Sequence, residues 1–94
     1  MPVINDEIFS AMRMFEEDPT TKRAFCVVEE EGGRASGWRI AKSQDADPGS
    51  VQKALQKLRR LGVVESTSKG LEGYYYLTSL GFRLQELLPK QMAK

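Results

Sequence analysis

Segment 48–61, with the sequence PGSVQKALQKLRRL, holds the side chains of this chain that are best suited to chemistry. Its polar positions carry hydroxyl, amide and cationic groups, and no acid follows Asp47 within it. These residues are Ser50, Gln52, Lys53, Gln56, Lys57, Arg59 and Arg60. Amides and hydroxyls hydrogen-bond the polar edges of a ligand, whereas lysine and arginine neutralise anions such as phosphate. The segment therefore favours non-covalent recognition of a polyanion.

Covalent catalysis has few candidate residues in this sequence. The chain has 94 residues, no histidine and one cysteine, Cys26. This composition removes histidine-dependent relays, zinc sites of the usual Cys/His kind and an internal disulfide. No glycine-rich phosphate loop occurs, and the consecutive acids at 29–31 would point to different faces of a helix. We expect no enzymatic activity, no cofactor and no metal site.

Charge is distributed unevenly along the chain, although the net charge is only +1. Residues 1–31 contain eight acids and three bases, a net charge of −5. Residues 32–94 contain five acids and eleven bases, a net charge of +6. Such a division suggests that one face of the protein meets a polyanion while another faces away from it. The alternative is that the surface charges of a small domain cluster by chance.

A helix over 48–61 would bring the polar positions of this segment to one side. The apolar residues recur at i, i+3, i+4, i+7 and i+10, which predicts an amphipathic helix. They are Val51, Ala54, Leu55, Leu58 and Leu61. Asp47 is expected to cap the start of the helix with Pro48 in its first turn, and Gly62 is expected to end it.

The other predicted elements follow from apolar spacing and from proline and glycine punctuation. Helices are predicted over 3–17, 19–31, 38–45 and 79–88. A very short extended segment is expected within 34–37. Two β-prone runs, 63–67 and 74–78, lie on either side of a glycine-containing loop, which predicts an antiparallel hairpin.

Several aromatic and sulfur-containing side chains are expected to serve packing rather than ligand binding. Trp38 is interpreted as a core residue. Strand alternation places Tyr75 on the face opposite Tyr74 and Tyr76, and partly buried cross-strand packing is the commoner role for such tyrosines. Cys26 has apolar neighbours in the sequence, which predicts a buried and inert thiol.

Two helices joined by a tight turn and followed at once by a hairpin form the winged helix-turn-helix arrangement. We therefore predict a mainly α fold with a small β-hairpin (α+β), of the winged helix-turn-helix class. The chain is expected to be one domain over 1–94. Its core would span 19–78, with an additional N-terminal helix over 3–17 and a C-terminal helix over 79–88.

Short motifs spread over residues 20–84 support the same fold. They are Gly37-Trp38-Arg39-Ile40, Asp47-Pro48-Gly49-Ser50-Val51, Ala54-Leu55-x-x-Leu58, Leu61-Gly62-Val63-Val64-Glu65 and Tyr74-Tyr75-Tyr76-Leu77-Thr78-x-x-Gly81. Together they resemble the winged-helix transcriptional regulators of the PadR and MarR type. The resemblance implies a DNA-binding regulator. The chain departs from the PadR pattern at Gln52, where tyrosine is common, and in lacking the long C-terminal dimerisation region.

Double-stranded DNA is the polyanion that this arrangement fits, because the major groove admits one α-helix. The N-terminal residues of an inserted helix reach base edges, which predicts base contacts from Ser50, Gln52 and Lys53, with Gln56 next. Phosphate contacts are predicted farther along the helix, on the preceding helix and at the hairpin tip: Lys57, Arg60, Arg39, Lys42 and Lys69. The alternatives are a basic face that is merely solvated and an ordinary polar turn at Lys69.

A homodimer is expected, with helix 3–17 pairing with helix 79–88 across a two-fold axis. Several apolar residues of these helices lie off the main stripes: Phe9, Ala11, Met14 and Phe82. Surplus apolar residues on terminal helices suggest a surface for a partner. The alternative is that these side chains pack against one another within the monomer.

A second class of function stays open at this point, namely a winged helix used for protein–protein contact with little DNA affinity. The net charge of +1 is low for a DNA-binding protein, and the acidic N-terminal third could meet a basic partner. A mostly apolar surface on the helix-turn-helix side would favour this alternative. A continuous positive face would favour DNA.

The sequence also bears on location. No apolar run is long enough for a membrane span, and the early acids Asp6 and Glu7 do not fit a signal peptide. The missing disulfides fit an intracellular protein. We expect a cytoplasmic protein, associated with the nucleoid if the source is prokaryotic.

Overall fold

The computed structural model describes residues 6–44, 47–68 and 70–88. Five helices and three strands lie within these ranges. In chain order they are α1 (Asp6–Glu17), α2 (Pro19–Glu30), β1 (Arg34–Ser36), α3 (Gly37–Lys42), α4 (Pro48–Leu61), β2 (Val64–Ser66), β3 (Tyr74–Leu77) and α5 (Ser79–Leu87). No helix within the described ranges has the length and apolarity that a membrane crossing requires.

The strands form one antiparallel sheet in the order β1-β3-β2. β2 and β3 make the expected hairpin, with Val64 opposite Leu77. The short extended segment of the sequence prediction is a third strand, β1, whose Arg34 lies opposite Tyr76. The hairpin is thus extended into a three-stranded sheet, because β1 supplies backbone partners along the other edge of β3.

Side-chain caps fix where the helices begin. Asp18 caps α2, Asp47 caps α4 and Thr78 caps α5, each by accepting a hydrogen bond from a backbone N–H three residues on. α3 begins one residue earlier than predicted, at Gly37, because Ser36 caps it. It also ends earlier than predicted, at Lys42; residue 45 of that prediction and residues 3–5 of the first helix lie outside the described residues.

The core lies where α2 and α4 pack against each other and against the inner face of the sheet. α4 buries the stripe predicted for it: Val51, Ala54, Leu55 and Leu58 are at most 2% exposed, and Leu61 is half-buried. Tyr75 of β3 is fully buried, and its hydroxyl donates a hydrogen bond to the Gly70 carbonyl at 2.9 Å. Burial of this stripe turns the polar side of α4 outward.

Two sequence-based placements are wrong. Trp38 is 50% exposed rather than buried, because α3 has only six residues and its core positions are taken by Ile40 and Ala41. Ala11 is fully buried rather than part of a surplus apolar surface on α1. Its small side chain lies within the core cluster that also contains Phe15.

Candidate nucleic-acid interface

The outward side of α4 forms a surface that is open to solvent. Ser50, Gln52, Lys53 and Arg60 are exposed, whereas Gln56 and Lys57 are half-buried. A shallow, open depression of about 540 Å³ runs along this side. Its lining comprises Gly49, Gln52, Lys53, Gln56, Lys57 and Arg60. The structure thus brings together most of the side chains that the sequence assigned to recognition.

Hydrogen bonds already engage two of the predicted base-contact residues. The Ser50 hydroxyl donates to Asp47 Oδ2 at 3.1 Å, as part of the cap of α4. The side-chain carbonyl of Gln56 accepts from Arg59 Nη1 at 3.5 Å, a long bond. The side chains of Gln52 and Lys53, in contrast, are exposed to solvent in the first half of α4. These two residues are therefore the best placed to meet a ligand.

Three cations of the helix-turn-helix region form ion pairs with acids on other elements. Lys57 Nζ lies 2.5 Å from Asp18 Oδ2, Arg39 Nη2 lies 3.1 Å from Glu31 Oε2, and Arg59 Nη2 lies 3.2 Å from Glu65 Oε1. The predicted phosphate contacts Arg39 and Lys57 are therefore engaged within the molecule. The Lys57–Asp18 pair joins residues 39 positions apart, which sequence spacing does not reveal. The other two pairs join residues 8 and 6 positions apart across a change of element, where no regular helix spacing brings them together.

The remaining predicted phosphate contacts include cations without an acidic partner in the described part of the chain. Lys42, Lys53 and Arg60 form no ion pair with any residue in the ranges 6–44, 47–68 and 70–88. Lys69, the predicted contact at the hairpin tip, lies outside the described residues. Lys42, Lys53 and Arg60 are accordingly the cations most available to an incoming anion on this part of the protein.

The ion pairs also change the interpretation of the charge division. Asp18 and Glu31 belong to the acidic N-terminal third of the chain, yet each contacts a cation of the basic remainder. They lie at the two ends of α2. The acidic third therefore does not simply face away from the basic surface, and part of its charge lies beside the helix-turn-helix.

The Lys57 ammonium hydrogen-bonded to Asp18 lowers the pKa of that carboxyl, against the opposing effect of burial. Two hydrogen bonds from Thr21 act in the same direction as Lys57. Because the folded pKa lies below the unfolded value, the pair stabilises the protein above about pH 4 and loses its contribution as pH falls through the lowered pKa.

Lys57→Gln tests this linkage. The substitution is expected to lower the free energy of unfolding by about 0.5–1 kcal/mol near pH 7, since the pair is partly exposed. The loss should be smaller at about pH 2.5, because protonation of the Asp18 carboxyl removes the pair as pH falls through its lowered pKa. Urea unfolding of wild type and variant at the two pH values measures the difference. An equal loss at both would contradict the assignment.

The outer face of the sheet carries aromatic side chains beside a cation. Tyr74 is 45% and Tyr76 37% exposed, while Tyr75 points into the core, as the alternation predicted. The Arg34 guanidinium lies 4.4 Å from the centre of the Tyr74 ring, a cation–π contact. Tyr74 therefore packs across strands against Arg34 of β1, the role that the sequence favoured for it.

Two further phenylalanines are exposed on the terminal helices, Phe9 at 58% on α1 and Phe82 at 49% on α5. Met14 is half-buried. Cys26 is half-buried rather than buried as predicted, and this partial burial raises the pKa of its thiol, which disfavours the reactive thiolate. Among the described residues no cluster of histidine, cysteine, aspartate or glutamate could hold a metal ion.

Comparison with models of protein families and with curated proteins finds no match to this chain, so the PadR and MarR resemblance stays a prediction. Among solved structures, the chain is similar to TubR bound to 24 bp of tubC, from Bacillus thuringiensis serovar israelensis pBtoxis. The TM-score is 0.69 at 17% sequence identity, over 92% of this chain and 94% of that chain. The likeness confirms the predicted fold, which is mostly helical with a small antiparallel sheet in a winged-helix-like arrangement.

Proposed function

We propose that this chain is a transcriptional regulator that binds specific sequences in double-stranded DNA and inserts α4 into the major groove. The observation that carries the proposal is the outward side of α4, on which Gln52, Lys53 and Arg60 are exposed, and α4 itself contains no acid. The helix is presented by a fold that TubR, in the structure compared above, uses while bound to DNA. Charge sign, helix position and fold therefore support the same ligand.

The direction of α4 in the groove would determine which of its residues contact bases and which contact phosphates. The N-terminal half of an inserted helix lies deepest in the groove, so Ser50, Gln52 and Lys53 would read base edges, with Gln56 next. Glutamine pairs bidentately with adenine, and lysine hydrogen-bonds guanine. Arg60 at the far end of α4 and Lys42 on α3 would contact phosphates.

Two of the other predicted phosphate contacts, Arg39 and Lys57, are already paired with acids. Arg39 and Lys57 would reach a phosphate only by sharing or leaving their acidic partners. Lys69 would contribute from the hairpin tip. Every large exposed hydrophobic residue in the described ranges lies off α4, so the outer side of this helix lacks the apolar patch that a protein-binding module would need.

An unbiased selection of duplex DNA, followed by binding across a salt series, tests the proposal. A regulator of this kind should enrich a defined motif, and its affinity should fall steeply between about 50 and 200 mM salt as counterions are released. Absence of an enriched motif together with salt-independent binding would overturn it.

We also propose a homodimer that pairs α1 with α5 and places two copies of α4 on half-sites about one helical turn apart. Phe9 and Phe82, exposed on these two helices, supply the apolar surface for this contact. Sedimentation at high micromolar concentration is expected to give the mass of a dimer. A monomer at that concentration would remove this part of the proposal, while leaving single-site DNA binding in place.

A further inference from the structure

We propose that Asp18 competes with DNA phosphate for Lys57 and thereby limits both the affinity and the salt dependence of DNA binding through α4. The inference rests on the proposed function, since it concerns regulation of the same surface. It assigns to an acid outside the helix-turn-helix a role in setting how strongly that motif binds.

The position of Asp18 is fixed by the start of α2. Its Oδ1 accepts a hydrogen bond from the Thr21 N–H at 3.3 Å, and its Oδ2 accepts one from the Thr21 hydroxyl at 2.9 Å. Thr21 is fully buried. The carboxylate therefore cannot swing away from α4 without breaking the cap of α2, so it stays beside Lys57 when another anion approaches.

The position of Lys57 makes the competition relevant to DNA. Lys57 lines the depression on the outward side of α4 together with Lys53 and Arg60. Its ammonium lies 2.5 Å from Asp18 Oδ2, yet 43% of its side chain is exposed. A phosphate can therefore approach this ammonium, but the nearby carboxylate repels the phosphate and has already neutralised the charge.

Counterion release turns this geometry into a measurable quantity. Each phosphate that a cation neutralises adds about 0.9 to the slope of log affinity against log salt. Lys53 and Arg60, unpaired within the described part of the chain, can contribute in full. Lys57 contributes little while Asp18 holds it, because its charge is already balanced inside the protein.

Glu31 repeats the arrangement at the other end of α2. Its carboxylate pairs with Arg39 of α3, with 64% of the arginine side chain and 34% of the glutamate side chain exposed. That pair is more open to solvent than the one at Asp18, where the acid is 22% exposed. The stronger restraint is therefore expected at Lys57, and Asp18 is the residue to test.

Asp18→Asn removes the negative charge of this residue but keeps its ability to cap α2. Asparagine is as good an N-cap as aspartate, so α2 should keep its start while Lys57 loses its acidic partner. The variant is expected to bind the selected duplex about five- to tenfold more tightly near 0.1 M salt, with a slope steeper by about 0.9. Far-UV circular dichroism and urea unfolding verify that the variant is folded.

Glu17→Gln is the matched control, because it removes the same charge one residue away. Glu17 pairs only loosely with Arg13 on α1, at 3.9 Å, and both side chains are about 70% exposed. Glu17→Gln should change the slope of log affinity against log salt far less than Asp18→Asn does. The double variant Asp18→Asn with Lys57→Gln should lose the gain, because the freed cation is then absent.

The outcomes separate the inference from the proposed function. If wild type binds duplex DNA in a salt-dependent way but Asp18→Asn binds no more tightly than Glu17→Gln, the inference is wrong and the function stands. The inference is equally wrong if the gain persists without Lys57. If wild type shows no salt-dependent duplex binding, both fall together.

Discussion

Lys53→Ala is expected to remove about 1–3 kcal/mol of discrimination between the selected DNA site and sites altered at one base pair. Lys53 is exposed in the first half of α4, where an inserted helix approaches base edges. Competition binding with a panel of singly substituted duplexes measures the loss position by position. The loss should concentrate at one base pair of each half-site.

Arg23→Ala is the control for the change in net charge, since Arg23 is an exposed cation on α2. It should leave the order of preference among the duplexes unchanged. If Lys53→Ala keeps the wild-type preferences, or if Arg23→Ala alters them equally, α4 does not read the bases as proposed.

Gly37→Ala is expected to lower the free energy of unfolding by about 3 kcal/mol, a large share of the stability of a small domain. A Cβ at this position would lie 2.5 Å from the Cα and from the carbonyl oxygen of Leu71. Backbone, not a flexible side chain, fills that space, and the hydrogen bond from Trp38 N–H to the Leu71 carbonyl at 2.9 Å holds it there.

Gly70→Ala provides the comparison for this prediction, because a Cβ there would have no atom within 4 Å. Its effect on the free energy of unfolding should stay within about 0.5 kcal/mol. Urea titrations of the three proteins measure both effects. Similar midpoints for Gly37→Ala and Gly70→Ala would show that the close approach between α3 and residue 71 is misplaced.

Close contacts between backbone segments explain two glycines of the sequence motifs. Gly37 precedes Trp38 in the first motif, and Gly81 ends the last one. A Cβ on Gly81 would overlap the carbonyl oxygen of Val63, where α5 starts against the chain leaving α4. Both positions bring backbone against backbone, which only glycine permits at such a distance.

α4 was predicted to the residue because its signals are local. Asp47 caps it, Pro48 fills its first turn, and Gly62 follows it in the left-handed conformation, with φ at 80°. Each signal acts within a few residues of the helix end, so each can be read from the chain alone. The outward direction of the polar side followed from the apolar stripe in the same way.

Other features depend on contacts that sequence spacing does not encode. β1 is a strand because it pairs with β3, which follows it by almost forty residues. Trp38 is exposed because α3 has only six residues, and its buried positions are Ile40, Ala41 and Gly37, which packs against the backbone of Leu71. The pairing of Asp18 with Lys57 likewise joins α2 to α4 only in the folded protein.

The placement of DNA on the outward side of α4 is tested most directly by mapping backbone amide chemical shifts during titration with the selected duplex. We expect the largest changes at Ser50, Gln52 and Lys53, with smaller ones at Lys42 and Arg60. Changes concentrated on α1 and α5, or on the outer face of the sheet around Tyr74, would contradict it.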